Sequence, residues 1–296
     1  MVMNLSPNVS VVIAHHGLDE HLRECLRAHL RELQEGDECV AVIAGASSQK
    51  LDEEFATITL VHQPSNRLTP ELWSTGLHLA HADVVRVTIG SFLPGPGWRA
   101  AMISAHGYGA AGVSGPIRSA PGLGGKDLAI FYQRYRQYDT DRPDSYRVDD
   151  IPADHASYSS ASLHNSHSLW EHGFWEREVN AFLVKAGEHL AMDPGFTAHY
   201  LGGESVLRFM GQRFRHGLQF GNRRLEQESH LYQAAFVGSL FLPGTVFGLK
   251  IVREVWAGGG HLKLLRAMPW LPLFVGAWAI GEWLGACRAL FTRRDR

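Results

Sequence analysis

The sequence predicts an α/β domain built on a mostly parallel, Rossmann-like sheet flanked by helices, with an apolar helical hairpin at its C-terminal end. Three observations predict it. Short apolar runs at Val9–Ile13, Cys39–Ile43, Ile58–Val61 and Val84–Ile89 have the length and composition of strands buried on both faces. Between them lie segments of helical spacing: Leu18–Leu33, with Leu22, Leu26, Leu30 and Leu33 on one side, and Pro70–His81. This alternation is the mark of βαβ units. Finally, Leu231–Leu249 carries no charge over nineteen residues, and Ala267–Cys287 holds only Glu282, so both approach the length of a membrane span. The chain accordingly divides into a domain over 1–224 and an apolar region over 225–296.

Composition narrows the function. With 296 residues, 45% apolar, 20% charged and a net charge of −2, the chain has no basic field to attract nucleic acid. Cys25, Cys39 and Cys287 are odd in number, far apart and without a CxxC pair, so neither a disulfide framework nor a zinc site is expected and a reducing compartment fits. No basic stretch followed by an apolar signal core precedes the first strand, so a cleaved secretion signal is not expected either.

An open α/β sheet binds its ligand beyond the carboxyl ends of its strands. That directs attention to His15, His16 and Gly17, to Ala44–Ser48, and to Gly90 and Ser91. Gly107–Gly125 reads as a short strand followed by a glycine-rich loop. Asp139–Asp150, with five aspartates, reads as an exposed crossing segment.

In the C-terminal region, Lys250, Arg253, Lys263 and Arg266 stand against Glu254 between the apolar runs, and Arg288, Arg293, Arg294 and Arg296 follow them. Positive charge on both sides of a two-span hairpin conflicts with the usual bias toward one side. A hairpin lying in the interface at the cytoplasmic face of a membrane, peripheral or hairpin-anchored, accommodates both clusters. The alternative is burial of these helices in a soluble core or a homo-oligomer contact.

The order of segments, and above all "LPGPGW" at 93–98, "PADHASYSSASL" at 152–163 and "WEREVNAFLVKAG" at 175–187, resembles the catalytic domain of family 2 glycosyltransferases of the GT-A fold. The resemblance spans about Val9 to Arg224. It implies a nucleotide-sugar donor and a glycan or polyprenyl-linked acceptor of the cell envelope. It also implies an acid at the start of the helix eleven positions before a closing glycine, which here is Glu176 before Gly187. A carboxylate there would take the proton of the attacking acceptor hydroxyl, and the positive end of the helix dipole favours its ionised form. By the same resemblance His15, His16, Ala44, Gly45, Thr88 and Ser91 would contact the donor. Asp154, His155 and Trp98 would lie on the acceptor side, and His199 would be the sole candidate metal ligand.

The chain departs from that family where a metal is usually held. In place of the Asp-x-Asp motif stand Ile89 and Ser91, and neither can ligate Mn or Mg as a carboxylate does. The base-contacting aspartate of the second strand is replaced by Ala44 and Gly45, and the usual proline of the first by Ala14. Arg67, Arg86, Lys126, Arg134 and Arg136 are the cations that could meet a diphosphate instead. No GxSxG, GxxxxGK[ST] or HExxH motif offers other chemistry. The expectation is therefore an inverting glycosyltransferase, and the competing one an inactive relative serving as a membrane-associated binding or assembly module.

Overall fold

The computed structural model describes residues 8–17, 19–45, 48–225, 229–239 and 242–292. Ala46 and Ser47 of the second strand's exit, and Arg293, Arg294 and Arg296, lie outside the described residues. The chain packs as two compact units. The first runs to Arg118 and resumes over Tyr138–Leu201; the second comprises Ser119–Gln137 and everything from Gly202 onward.

The strands, in chain order, are β1 (Val9–His16), β2 (Glu38–Ala44), β3 (Thr59–Gln63), β4 (Val84–Ile89), β5 (Phe92–Pro94), β6 (Gly112–Ser114), β7 (Ile117–Ser119), β8 (Tyr146–Val148), β9 (His155–Ser159), β10 (Leu190–Met192) and β11 (Ala198–Tyr200). Eight form one sheet in the order β3-β2-β1-β4-β9-β6-β10-β8, while β5-β11-β7 form a second. In the large sheet β3, β2, β1 and β4 are mutually parallel, and β9 and β8 oppose their neighbours. The architecture is mixed α/β, a large central sheet flanked by helices, as the alternation predicts.

Each face of this sheet carries its own apolar layer. Val12, Val42, Val85 and Val87 pack with Leu72 and Trp73 of the helix Thr69–Leu77 and with Phe174, Val179 and Leu183. Val11, Ile13, Ala41 and Ile43 pack with Leu22 and Leu26 of the helix Glu20–Leu30 and with Trp98 and Met102. Burial on both faces is why these strands read as continuous apolar runs, and each large side chain removed from water contributes about 1.5–3 kcal/mol. At the amino end of the sheet Arg99 makes paired hydrogen bonds of 2.6 and 2.9 Å to Asp37, whose carboxylate also accepts from the Val9 and Gln34 N–H groups.

One segment adds to its expected reading, and one helix stands where the sequence predicts no element. The Asp-rich stretch 139–150 contains β8, a three-residue edge strand antiparallel to β10. The stretch after the glycine-rich turn forms a ten-residue helix, Gly125–Arg134.

The second unit is helical. The first apolar run forms not one arm of a hairpin but two helices, His230–Gly238 and Leu242–Ala257. Ser229 caps the first by accepting from the Tyr232 N–H, and Pro243 stands in the first turn of the second, where a missing N–H costs nothing. After a short helix, His261–Ala267, comes Leu271–Thr292, the one described helix long and apolar enough to cross a membrane. It packs against Val206–Leu225 backbone to backbone. A Cβ on Gly217 would lie 2.2 Å from the Trp278 carbonyl oxygen, and on Gly221 2.0 Å from that of Glu282. Across the seam, Gly281 and Gly285 would come within 2.1 Å of the Phe214 and Leu218 carbonyls. These are two facing Gly-x-x-x-Gly pairs, the arrangement that lets helices approach most closely.

Gly281→Val should therefore force the two helices apart and lower stability by about 3 kcal/mol or more. Gly276→Ala on the same helix meets open space and should be neutral or stabilising by up to about 1 kcal/mol. Thermal denaturation of the two variants side by side checks the seam.

Candidate functional site

The carboxyl ends of β3, β2, β1 and β4 form a continuous ledge whose backbone pairing runs past the strands. Gly17 donates to the Ala44 carbonyl at 2.9 Å, Gly45 to Gln63 at 2.9 Å, and Gly90 to Ala14 at 3.1 Å. The close approach needs glycine at two points. Gly45 has φ +135°, and a Cβ on Gly90 would fall 2.5 Å from His15 Nδ1. The antiparallel β9 begins against the end of β4, with His155 opposite Thr88. Thus His15, His16, Ala44, Gly45, Ser91 and Asp154 are gathered at one end of the sheet.

Two side chains dress this ledge that sequence reasoning missed. Asp19 caps the helix Glu20–Leu30 by accepting from the Leu22 N–H at 3.0 Å, and its carboxylate lies 3.1 Å from His15 Nε2, in ion-pair range though off the line of a hydrogen bond. Partial burial would raise its pKa, but the neighbouring His15 and the Leu22 N–H more than offset this and hold it at about 2. Thr69 Oγ1 lies 3.1 Å from His16 Nε2. The signal for Asp19 was present as an N-cap residue directly before a helical repeat.

Thr69 leads to Glu176. The adjacent Pro70 accepts a 2.8 Å hydrogen bond from the Phe174 N–H, so the start of the helix Glu176–Lys185 is tied beside the end of β1. The Phe174 ring packs edge-on against Trp73 and Tyr158. One turn beyond Glu176, the buried Asn180 accepts from Tyr158 Oη at 2.9 Å and donates to Asp150 Oδ1 at 2.6 Å and to the Ile151 carbonyl at 2.9 Å. This lock sets the rotation of the helix and leaves Glu176 half-buried at its N-terminus. Burial, with the Glu176 and Asp150 charges adding to it, pushes the Tyr158 hydroxyl well above its usual range.

Other residues named from the sequence are enclosed. Thr88 is fully buried and donates to the Asp154 carbonyl at 2.9 Å. Trp98 is fully buried at the start of its helix. His155 is fully buried, its Nε2 donating to the Phe196 carbonyl at 2.7 Å, which leaves Nδ1 to accept from Arg86 at 3.3 Å. Arg86, expected as a diphosphate cation, is itself fully buried, with its guanidinium 4.8 Å from the Trp98 ring centroid and 4.6 Å from that of Phe196. It cannot reach a ligand on the surface; burial, with no carboxylate in contact, lowers its pKa to about 9. Arg67, by contrast, is exposed between β3 and Thr69 and holds Glu71 at 2.7 Å. Lys126, Arg134 and Arg136 belong to the second unit, where they meet the Glu204 carbonyl, the Glu204 carboxylate and Glu254 respectively.

The residues present do not fit a divalent cation. Among the described residues no group of three or more His, Cys, Asp or Glu side chains is arranged to hold a metal, and the end of β4 offers Ile89, Gly90 and Ser91. His199 is half-buried on β11, and burial and the neighbouring Arg118 charge lower its pKa.

The fold has a counterpart among solved structures. The mannosyltransferase PcManGT from Pyrobaculum calidifontis, in complex with GDP-Man and Mn2+, superposes with a TM-score of 0.56 over 98% of this chain and 89% of that chain, at 13% identity. The chain has a glycosyltransferase-like fold. A mycobacterial protein is matched at 12% identity and a TM-score of 0.47 over 71% of this chain and 73% of that chain, too slight a likeness to build on. No protein-family model and no curated protein matches the sequence.

The buried histidines give a test. Burial, reinforced by the Arg86 charge, holds His29 and His155 well below 6.5 in the folded state. Below pH 6.5 the unfolded chain therefore binds protons that the folded chain refuses, and stability falls on acidification with a limiting slope of about 1.4 kcal/mol per pH unit for each. The depressed Asp19 acts in a separate window, losing its contribution as pH falls from 3.8 toward 2. Denaturant midpoints between pH 7.5 and 5 should decline, and His29→Gln should flatten the decline; a level wild-type curve would contradict neutral, buried histidines.

Proposed function

We propose that this protein is a glycosyltransferase of the family 2 kind. It takes a nucleotide-diphosphate sugar on the ledge at the carboxyl ends of β1, β2 and β4 and transfers the sugar to a cell-envelope or lipid-linked glycan. The observation that carries the reading is the tie from His16 through Thr69 and Pro70 to Phe174, which brings the Glu176 helix to the ligand end of the sheet. The fold likeness to a structure that holds GDP-Man supports a nucleotide-sugar donor.

In this reading Glu176 is the general base. The acceptor hydroxyl loses its proton to the carboxylate as its oxygen attacks the anomeric carbon. The bond to the nucleoside diphosphate breaks on the opposite face, and the configuration inverts. Asn180 orients the base through the helix it locks. The departing diphosphate carries charge that must be met for the step to proceed. The exposed Arg67 and the Ser91 N–H are the groups of this chain at the ledge that would meet it, without a metal, since the Gly17 and Gly45 N–H groups are already taken by the Ala44 and Gln63 carbonyls. The buried Trp98, Thr88 and His155 hold the ledge from beneath and do not touch substrate.

Glu176→Gln should lower turnover by about 10²-fold or more while leaving donor binding within about twofold. Transfer from a radiolabelled nucleotide sugar, measured beside donor binding, checks it. Unchanged turnover in the variant would overturn the assignment of the base. Absence of any transfer by wild-type protein that binds donor would instead favour an inactive binding module.

A further inference from the structure

The helix Leu242–Ala257 is apolar on both sides. Its inner side, Gly244, Gly248, Ile251 and Val255, packs within the unit; a Cβ on Gly244 would lie 2.4 Å from that of Ala279, and Ile251 is fully buried. Its outer side repeats at helical spacing as Leu242, Val246, Leu249, Arg253 and Trp256, and the four apolar members are 56 to 63% exposed. The next helix continues the pattern with Leu262 at 79% and Leu265 at 62%. An aqueous helix presents polar residues outward, so this face is built for another phase. A contiguous display of this kind marks an interaction surface.

Its charge identifies the partner. From 229 to 292 the chain has five cations, Lys250, Arg253, Lys263, Arg266 and Arg288, against Glu254 and Glu282. Glu282 is buried and Glu254 is engaged by Arg136. Lys250 lies 3.9 Å from the same Glu254, while Lys263 and Arg266 donate to uncharged oxygens, Ser119 Oγ and the Leu123 carbonyl, with no acidic partner among the described residues. The helix Val206–Leu225 adds exposed Arg208 and Arg215 and has no acidic residue. Leucine and tryptophan interleaved with lysine and arginine match the boundary between acyl chains and anionic headgroups. A second copy of the chain would bring the same positive charge to the contact and is disfavoured by repulsion.

We infer that the outer face of helices Leu242–Ala257 and His261–Ala267 is a monotopic docking surface for an anionic lipid leaflet. The inference does not depend on the glycosyl-transfer reading, because its measurement needs no donor. The full-length protein is floated with phosphatidylcholine vesicles containing about 30% phosphatidylglycerol, and with phosphatidylcholine alone. The anionic vesicles should carry it at least tenfold better, with the advantage shrinking as salt is raised. Leu249→Glu/Leu262→Glu/Leu265→Glu should cut partition at least tenfold while near-UV circular dichroism stays unchanged, since all three side chains are exposed. Lys250→Glu/Arg253→Glu should remove the preference for anionic vesicles. Equal binding to both vesicles, or none to either, would overturn the inference. So would a wild-type dimer in light scattering that the leucine variant dissolves.

Discussion

A single buried cation, with no counter-charge in contact among the described residues, organises the ligand end of the first unit. Arg86 is fully buried on β4, between the rings of Trp98 and Phe196 and against the acceptor nitrogen of His155. Burying a guanidinium is costly, and among the described residues no carboxylate touches it. Attraction to two aromatic faces, worth up to about 2 kcal/mol each when desolvated, meets part of that cost. The compensation depends on position, so β4, β9, the helix starting at Trp98 and the turn at Phe196 must all keep their places. Thr88 and Asp154, next along the same pair of strands, are fixed by the same arrangement, and with them one side of the ledge. Arg86 Nε and Nη1, Trp98 Nε1 and His29 Nε2 have no partner among the described residues, which adds to the cost of burying the cluster.

The parts of the fold legible from sequence are those whose burial is simple. β1, β2 and β4 are covered on both sides and read as apolar runs, and the helix Glu20–Leu30 follows from leucine spacing. β9 is buried but polar: Ser157 faces Val113 and His106, and Tyr158 hands its hydroxyl to Asn180. No apolar pattern announces such a strand; only the likeness of its segment to family 2 sequences singled it out. β8 is hidden because a three-residue edge strand among aspartates has too few apolar positions to show a period. The helix Gly125–Arg134 is hidden because its N-terminal glycines suggest a loop. Helix-to-helix contact through Gly217, Gly221, Gly281 and Gly285 involves no side chain and is visible only when two distant segments are placed together.

The same distinction governs the site. Residue identity pointed to the carboxyl ends of the strands, and six of the named residues do gather there. It could not distinguish a side chain that faces a ligand from one that supports the ledge, because Thr88, Trp98, His155 and Arg86 are chemically fit for either. Asp19, Thr69 and Asn180 escaped notice because their roles are relational. Asp19 matters through His15, Thr69 through His16, and Asn180 through the turn of helix that carries Glu176. The missing carboxylates at Ile89 and Ser91 gain meaning in the same way: the Asp19 carboxylate is taken up by His15 and the Leu22 N–H, and in the proposed mechanism the diphosphate charge falls to Arg67 and the Ser91 N–H.

That claim is tested most directly by calorimetric titration of the protein with GDP- and UDP-sugars, each with EDTA and with added Mn2+. Saturable binding in EDTA, little changed by Mn2+ and weakened by Arg67→Ala, is the result this account predicts. Binding that appears only with Mn2+ would contradict it, as would a folded protein that binds no nucleotide sugar under either condition.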